Sequence, residues 1–236
     1  RPDIEGLRAV AVSAVLFFHF GFETFSNGQV GVDVFFVISG FFITSLILKE
    51  IHNTSTFCFS NFYIRRARRL LPSLFFTLFL SFVFAYFLFY PIHFQHFGGA
   101  LVHATIGTSN FFFWSEANYF DPVSIFKPLI HTWSLGVEEQ FYIAFPLFMF
   151  FILRHYSMKS CFSVILICAL LSFFMFEIFH ESSFRFFFPV TRAWEFSLGA
   201  GIAFYPNLVK TIRHREALLL MGLLLIISAT LSWDAP

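Results

Sequence analysis

The amino-acid sequence predicts an all-α fold, a polytopic transmembrane helical bundle with about seven spans, and three observations lead there. Only 12% of the 236 residues are charged and 58% are hydrophobic, with a mean hydropathy of +0.75, whereas a soluble domain carries about 25% charged residues. Phenylalanine alone supplies 42 residues, more than a water-soluble core of this size can hide, but a surface facing lipid tolerates the excess. Apolar runs near the ~20 residues needed to cross a bilayer recur along the chain. They fall at 8–25, 30–48, 70–90, 133–153, 160–179, 190–206 and 216–233.

Segment 96–114 is apolar enough to be a further span but holds His96, His103 and Asn110. Basic residues in short loops stay cytoplasmic, so they arbitrate. If 96–114 does not cross, twelve of the fifteen basic residues share the cytoplasmic side, from Arg1 and Arg8 through Lys49 and the arginines of 65–69 to Arg154, Lys159, Lys210, Arg213 and Arg215. Lys127, Arg185 and Arg192 are then the exceptions. If it does cross, that asymmetry is spoiled. Residues 92–131 are therefore expected to form an outer-face segment with an interfacial or re-entrant helix, in a chain whose N-terminus is cytoplasmic. No repeat or soluble domain is visible, and 1–236 reads as one transmembrane domain. A formal charge of +1 argues against nucleic acid as a partner. Cys58, Cys161 and Cys168 lack metal-ligand spacing, and no bound metal is expected.

Charged residues inside spans cost about 2.5–3.5 kcal/mol each on insertion scales, so each needs a reason. Arg8 and His19 are eleven positions apart, almost three helical turns, which puts both on one face about 16 Å apart along the axis. This spacing sets a cation at the cytoplasmic end and an imidazole about halfway across the bilayer. There the imidazole could take a proton from a hydroxyl near neutral pH. A snorkelling Arg and a His bonded to a neighbouring helix is the structural alternative. Asp33 lies in the run Gly31 to Gly40 that opens the second span, where it could meet His19 and orient its ring or simply mark the boundary. Gly31 and Gly40 permit close helix approach.

Arg65, Arg66, Arg68 and Arg69 precede the third span. Topology and anionic lipid explain them on chemistry alone, although Arg65 with Arg68 or Arg69 shares a face suited to phosphate. In the run His131 to Tyr142, Ser134, Glu138 and Tyr142 share a face, and the adjacent Glu138 and Glu139 require a polar cavity, a partner or the helix N-terminus. Thr191, Arg192 and Glu195 enter the sixth span, as an interhelical ion pair or as cavity residues. Together these clusters describe a polar interior. It suits either an enzyme that moves a group across the membrane or a transporter or flippase for a lipid-linked or anionic substrate.

At these residues the sequence closely resembles the acyltransferase family 3 membrane proteins, in particular the peptidoglycan and lipopolysaccharide O-acetylases. The family's Arg-x10-His signature matches Arg8 and His19, and its G-V-D-V-F-F-V-I-S-G-F stretch matches Gly31 to Phe41. F-Y-x-R-R-x-x-R-L-x-P matches Phe62 to Pro72, H-T-W-S-L-x-V-E-E-Q-F-Y matches His131 to Tyr142, and T-R-A-W-E matches Thr191 to Glu195. The resemblance implies an enzyme that takes an acyl group, usually acetyl, from cytoplasmic acyl-CoA. It passes the group to a hydroxyl of an envelope glycan, such as lipopolysaccharide O-antigen or peptidoglycan, outside the bacterial inner membrane. Acyl-CoA is then a donor substrate, and no permanently bound cofactor is expected.

By the same resemblance His19 is the catalytic base or transient acyl acceptor, with Arg8, Asp33, Glu138 and Glu139 in the catalytic set. Arg65, Arg68 and Arg69 become binders of the CoA phosphates. His131, Trp133, Ser134, Tyr142, Arg192 and Glu195 become substrate or cavity residues. Family members commonly continue with further spans, and some carry an SGNH-type hydrolase domain. This chain starts at Arg1 rather than Met and stops at Pro236 just after an apolar run, so it is expected to be a piece of a longer protein. An inactive fragment or partner subunit is the remaining alternative.

Overall fold

A computed structural model of the chain describes residues 2–117, 127–180, 182–205 and 212–231. Among these residues there are ten α-helices, one 3-10 turn and no strand, as the apolar composition requires of a chain that must satisfy its backbone polar groups within lipid. In chain order the helices are α1 (Pro2–His19), α2 (Val30–Thr54), α3 (Phe59–Leu88), α4 (Pro91–Thr105), α5 (Ser109–Glu116), α6 (Thr132–His155), α7 (Met158–Ile178), α8 (Ser183–Phe187), α9 (Pro189–Phe204) and α10 (Ile212–Thr230).

Four of them, α2, α3, α6 and α7, are long and apolar enough to cross a bilayer, with mean hydropathies of 2.2, 2.0, 1.4 and 2.4. The other expected spans give helices that fall short for identifiable reasons. Helix α1 has 18 residues but carries Asp3, Glu5 and Arg8, α9 has 16 residues, and the apolar part of α10 is Glu216–Thr230. Arg1 and Lys210, and the parts of 190–206 and 216–233 beyond 205 and 231, lie outside the described residues. Segment 96–114 is not one continuous helix. It is split between α4 and α5 at Gly107, whose φ of +71° is open to glycine and strained for other residues. At 1.5 Å per residue α4 reaches about 22 Å and α5 about 12 Å, short of the ~30 Å hydrocarbon layer.

The chain divides into two compact units, one of residues 1–45, 158–169 and 195–236, the other of 46–157 and 170–194. In the first, glycines let helices meet backbone to backbone. A Cβ at Gly40 would overlap the Phe196 carbonyl, and one at Gly199 would overlap the Val37 carbonyl, so α2 and α9 interlock reciprocally. Phe36 and Phe196 stack beside the contact at 4.5 Å between ring centroids. Gly28 and Gly31 bring the start of α2 equally close to the Ala14 and Ala11 carbonyls of α1. Replacing Gly40 by leucine must push α2 off α9. The expected result is a loss of about 3 kcal/mol, read as a lower melting temperature of the purified protein in detergent. An unchanged midpoint would contradict the close contact.

In the second unit Phe62, Leu74, Leu78 and Ala85 form the buried stripe of α3. Helix α6 runs antiparallel beside it: Phe59 meets Phe150 at 5.4 Å, and the Tyr63 hydroxyl donates to the Ile143 carbonyl at 3.1 Å. A polar lock fastens α5 to α6. Asn110, fully buried, donates to the Phe187 carbonyl at 3.0 Å, while the Gln140 amide donates to Asn110 Oδ1 and to the Gly107 carbonyl, both at 2.8 Å. The Ser109 hydroxyl donates to the Thr132 carbonyl at 2.7 Å, and Gly136 leaves room for both side chains. Asn110→Ala strands these partners, and a buried polar group left unsatisfied costs about 1–3 kcal/mol. Faster amide hydrogen exchange across 105–112 should report the loosened hairpin, and unaltered protection would show that the lock does not hold it.

Candidate active site

The first unit contains Arg8, His19, Asp33 and Glu195. Helix α1 ends at His19 because the chain turns at Gly21, which takes φ +75°. The imidazole is exposed, and its Nδ1 lies 2.7 Å from the Val15 carbonyl one turn back. A carbonyl only accepts, so Nδ1 carries the proton of the neutral ring and Nε2 the lone pair. His19 closes the last turn of its helix, whereas the sequence reading ran the first span on to residue 25. Arg8 stands about 16 Å back along the axis. Its guanidinium lies 5.6 Å from the Phe42 ring centroid, and its Nε is buried without a hydrogen-bond acceptor among the described residues.

Helices α1 and α2 run antiparallel, with Gly31 packed on Ala11 and Val15, and Gly28 on Ala14 and Phe18. Asp33 sits in the first turn of α2, where the helix dipole favours a carboxylate. Glu195 is fully buried on α9, next to the Phe196 that meets Gly40.

The second unit gathers most of the other candidates. Arg66 follows Phe62 by four positions and precedes Leu74 by eight, so it falls on the buried stripe of α3. Its guanidinium lies 3.5 Å over the Tyr142 ring and 4.0 Å from Glu138 Oε1, and the Tyr142 hydroxyl donates to that same carboxylate. Three groups from two helices thereby fix one another. The proline four residues after Tyr142 has no N–H to give its carbonyl, so the hydrogen-bond ladder of α6 is interrupted at this point. Arg65, Arg68 and Arg69 are exposed instead. Arg65 reaches Glu50 at 3.4 Å, whose other oxygen accepts the Cys58 N–H at 2.9 Å. An exposed ion pair of this kind is worth at most about 1 kcal/mol, so an arriving phosphate can displace it.

The sequence reading set the arginines on the cytoplasmic side and Glu138 and Glu139 at the start of the span that follows the outer-face segment 92–131. The Arg66–Glu138 contact puts them at one level. Helix α3 begins at Phe59 rather than near 70, so the arginines ride inside it, antiparallel to the first turns of α6. The adjacent carboxylates diverge: Glu138 faces α3, whereas the Glu139 carboxylate fills the place a side chain at Gly107 would take.

Trp133 and Arg192 meet. The Arg192 guanidinium, almost fully buried, lies 5.8 Å from Trp133, 5.5 Å from Phe176 and 5.3 Å from Phe186, and its Nε donates to the Phe186 carbonyl at 3.4 Å. Ser134 donates to the His131 carbonyl at 3.2 Å within its own turn, and His131 is exposed just before α6. Arg66, Glu50 and the Asn110–Gln140 pair were missed by the motif reading. For Arg66 the signal was present, since its i, i+4 spacing from Phe62 marks the inward face. Among the described residues no group of three or more His, Cys, Asp or Glu could hold a metal ion.

The chain is similar to known proteins. The family described as Acyltransferase domain matches residues 1–236. The chain belongs to this acyltransferase family. It is 34% identical over 208 residues to the O-acetyltransferase OatA of Staphylococcus aureus, covering 86% of this chain and 34% of that protein. It is 36% identical over 154 residues to the peptidoglycan O-acetyltransferase OatA of Listeria monocytogenes, covering 65% and 25%, respectively. With the putative peptidoglycan O-acetyltransferase YrhL of Bacillus subtilis it shares 34% over 210 residues, 86% of this chain and 33% of that one. The acyltransferase chain thus spans about a third of the length of such relatives. No solved structure matches it. Family membership together with four helices able to cross a bilayer makes this a membrane protein.

Proposed function

We propose that the protein is an O-acyltransferase of the bacterial inner membrane, N-terminus cytoplasmic, that moves an acetyl group from cytoplasmic acyl-CoA to a hydroxyl of an envelope glycan. Peptidoglycan is the favoured acceptor, because similar proteins bear that name. The observation that carries the reading is the Nδ1 hydrogen bond of His19 to Val15, which leaves the basic Nε2 on an exposed imidazole. In the direct route Nε2 takes the proton of the acceptor hydroxyl as its oxygen bonds to the thioester carbonyl. The carbon–sulfur bond then breaks, and the imidazolium returns the proton to the thiolate of CoA. In the relay route Nε2 itself bonds to the acyl carbon as the carbon–sulfur bond breaks and CoA leaves as the thiolate. The glycan hydroxyl oxygen then bonds to the acyl carbon as the Nε2–acyl bond breaks, and the hydroxyl proton passes to the thiolate.

The remaining candidates supply binding and charge. The unsatisfied Nε–H of Arg8 costs about 1–3 kcal/mol, which an oxygen of the bound donor would offset. Arg65, Arg68 and Arg69 present exposed guanidinium forks suited to the CoA phosphates. Glu138 and Glu139, with Tyr142, line the polar region that the substrates approach. The test is the O-acetyl content of glycan, measured by NMR, in a strain lacking the gene and in the same strain carrying the full-length protein. Acetylation that disappears and returns supports the reading, and identical acetyl content in both strains rejects it.

A further inference from the structure

The two partners of the Arg65–Glu50 pair are held unequally. Glu50 lies one turn before the end of α2, and Arg65 lies in the second turn of α3. Between the helices the chain turns through Ser55, whose φ is +55°, and the Thr54 hydroxyl lies 2.8 Å from both the Glu50 and Thr56 carbonyls. This turn lays Glu50 against the start of α3, where the Cys58 N–H donates to its Oε1 at 2.9 Å. The backbone therefore fixes the carboxylate whether or not Arg65 is engaged. The Glu50 side chain is 21% exposed against 56% for Arg65, so the long, open guanidinium is the partner free to leave. Their contact, Nη2 to Oε2 at 3.4 Å, is longer than the about 2.7–2.9 Å of a strong charge-assisted hydrogen bond.

We propose that Glu50 is an internal competitor for phosphate at Arg65, an inference that rests on the reading of Arg65 as a phosphate-binding residue. The carboxylate holds the guanidinium until a phosphate group displaces it, and so sets how tightly a phosphate-bearing ligand binds there. A carboxylate and a phosphate make the same demand of an arginine, the forked N–H donors of one plane. They are also like charges, so with Glu50 anchored the two repel when both approach that plane. Closure of the ion pair and occupation by phosphate are then alternatives. The neighbouring Arg66 is held differently: enclosed between Glu138 and the Tyr142 ring, it stays engaged whatever arrives. The chemistry that opens the Arg65 pair is a phosphate group, carried by CoA or by an anionic lipid headgroup.

The test uses the full-length protein in nanodiscs. CoA binding is read by calorimetry in zwitterionic lipid, and phosphatidylglycerol binding by native mass spectrometry. Wild type, Glu50→Gln, Arg65→Ala and the double variant are compared. Glutamine keeps an oxygen for the Cys58 N–H and removes only the charge. Glu50→Gln should tighten binding of CoA roughly two- to fivefold, and the same change in the Arg65→Ala background should tighten nothing. Tightening of phosphatidylglycerol alone, again only with Arg65 present, supports the competitor and makes a lipid headgroup its displacing ligand. Equal affinity of wild type and Glu50→Gln for both ligands overturns the proposal, as does equal tightening without Arg65. Thiol release from acetyl-CoA by wild type separates the two readings. Turnover with no response at Glu50 keeps the transferase and removes the competitor, whereas an Arg65-dependent response without turnover keeps the competitor and removes the transferase.

Discussion

His19→Asn is expected to remove O-acylation while leaving the protein inserted and folded. The asparagine amide takes the place of Nδ1 and can still donate to the Val15 carbonyl, so the end of α1 keeps its closing hydrogen bond. Only Nε2 is lost, and with it the group proposed to accept the proton or the acyl. General-base catalysis is worth about 10²–10⁴-fold, so acetylation should fall below detection. The exposed position of His19 means that its loss opens no cavity. Glycan NMR together with the amount of protein in the membrane fraction reads both parts. Full acetylation by the variant would exclude His19 from the chemistry.

The second large effect is expected at Arg66. Its guanidinium is both the cation beside Glu138 and the flat surface on the Tyr142 ring. Arg66→Ala leaves the Glu138 charge next to that of Glu139 without its cation, and leaving a half-buried polar group without its partner costs about 1–3 kcal/mol. Arg66→Lys restores the charge but not the plane, so stability should return in part while turnover stays low. Arg65→Ala should behave oppositely, with the melting temperature and kcat unchanged and the KM for acyl-CoA raised, because that side chain is exposed and holds only Glu50. Thermal unfolding and thiol-release kinetics on the three variants separate a positioning arginine from a phosphate-binding one. Equal behaviour of Arg65→Ala and Arg66→Ala would collapse the distinction.

Much of this was legible in the sequence, for physical reasons that can be named. Helices follow from apolar length, and α2, α6 and α7 start within two or three residues of the expected spans, because the apolar runs there are flanked by polar turns. Helix α3 was placed eleven residues late, since arginines end an apolar run without ending a helix. The break inside 96–114 was foreshadowed by Asn110, a side chain that needs partners, although its link to Gln140 thirty residues away is a tertiary fact. The first span was carried on to residue 25 because the apolar run continues through Phe20 and Phe22, whereas the helix ends at His19 and Gly21 turns the backbone there. The close approach of α1 and α2 at Gly28 and Gly31 is likewise a tertiary fact, which no motif encodes. The inward turn of Arg66 was readable from period alone, and the charge of its neighbours hid it.

The interlock at Gly40 and Gly199 has a consequence for how this chain can change through descent. Most packing positions drift by exchange: one side chain shrinks, its neighbour grows, and the fold survives the trade. Here each glycine abuts a carbonyl of the opposite helix, and every residue in the genetic code has the same carbonyl. No second substitution can make room for the first, so the neighbourhood offers no compensatory route. The Phe36–Phe196 stack beside it is free to vary as a pair, but the two glycines are a one-way door, able to be lost together with the helix contact and unable to be swapped while it lasts.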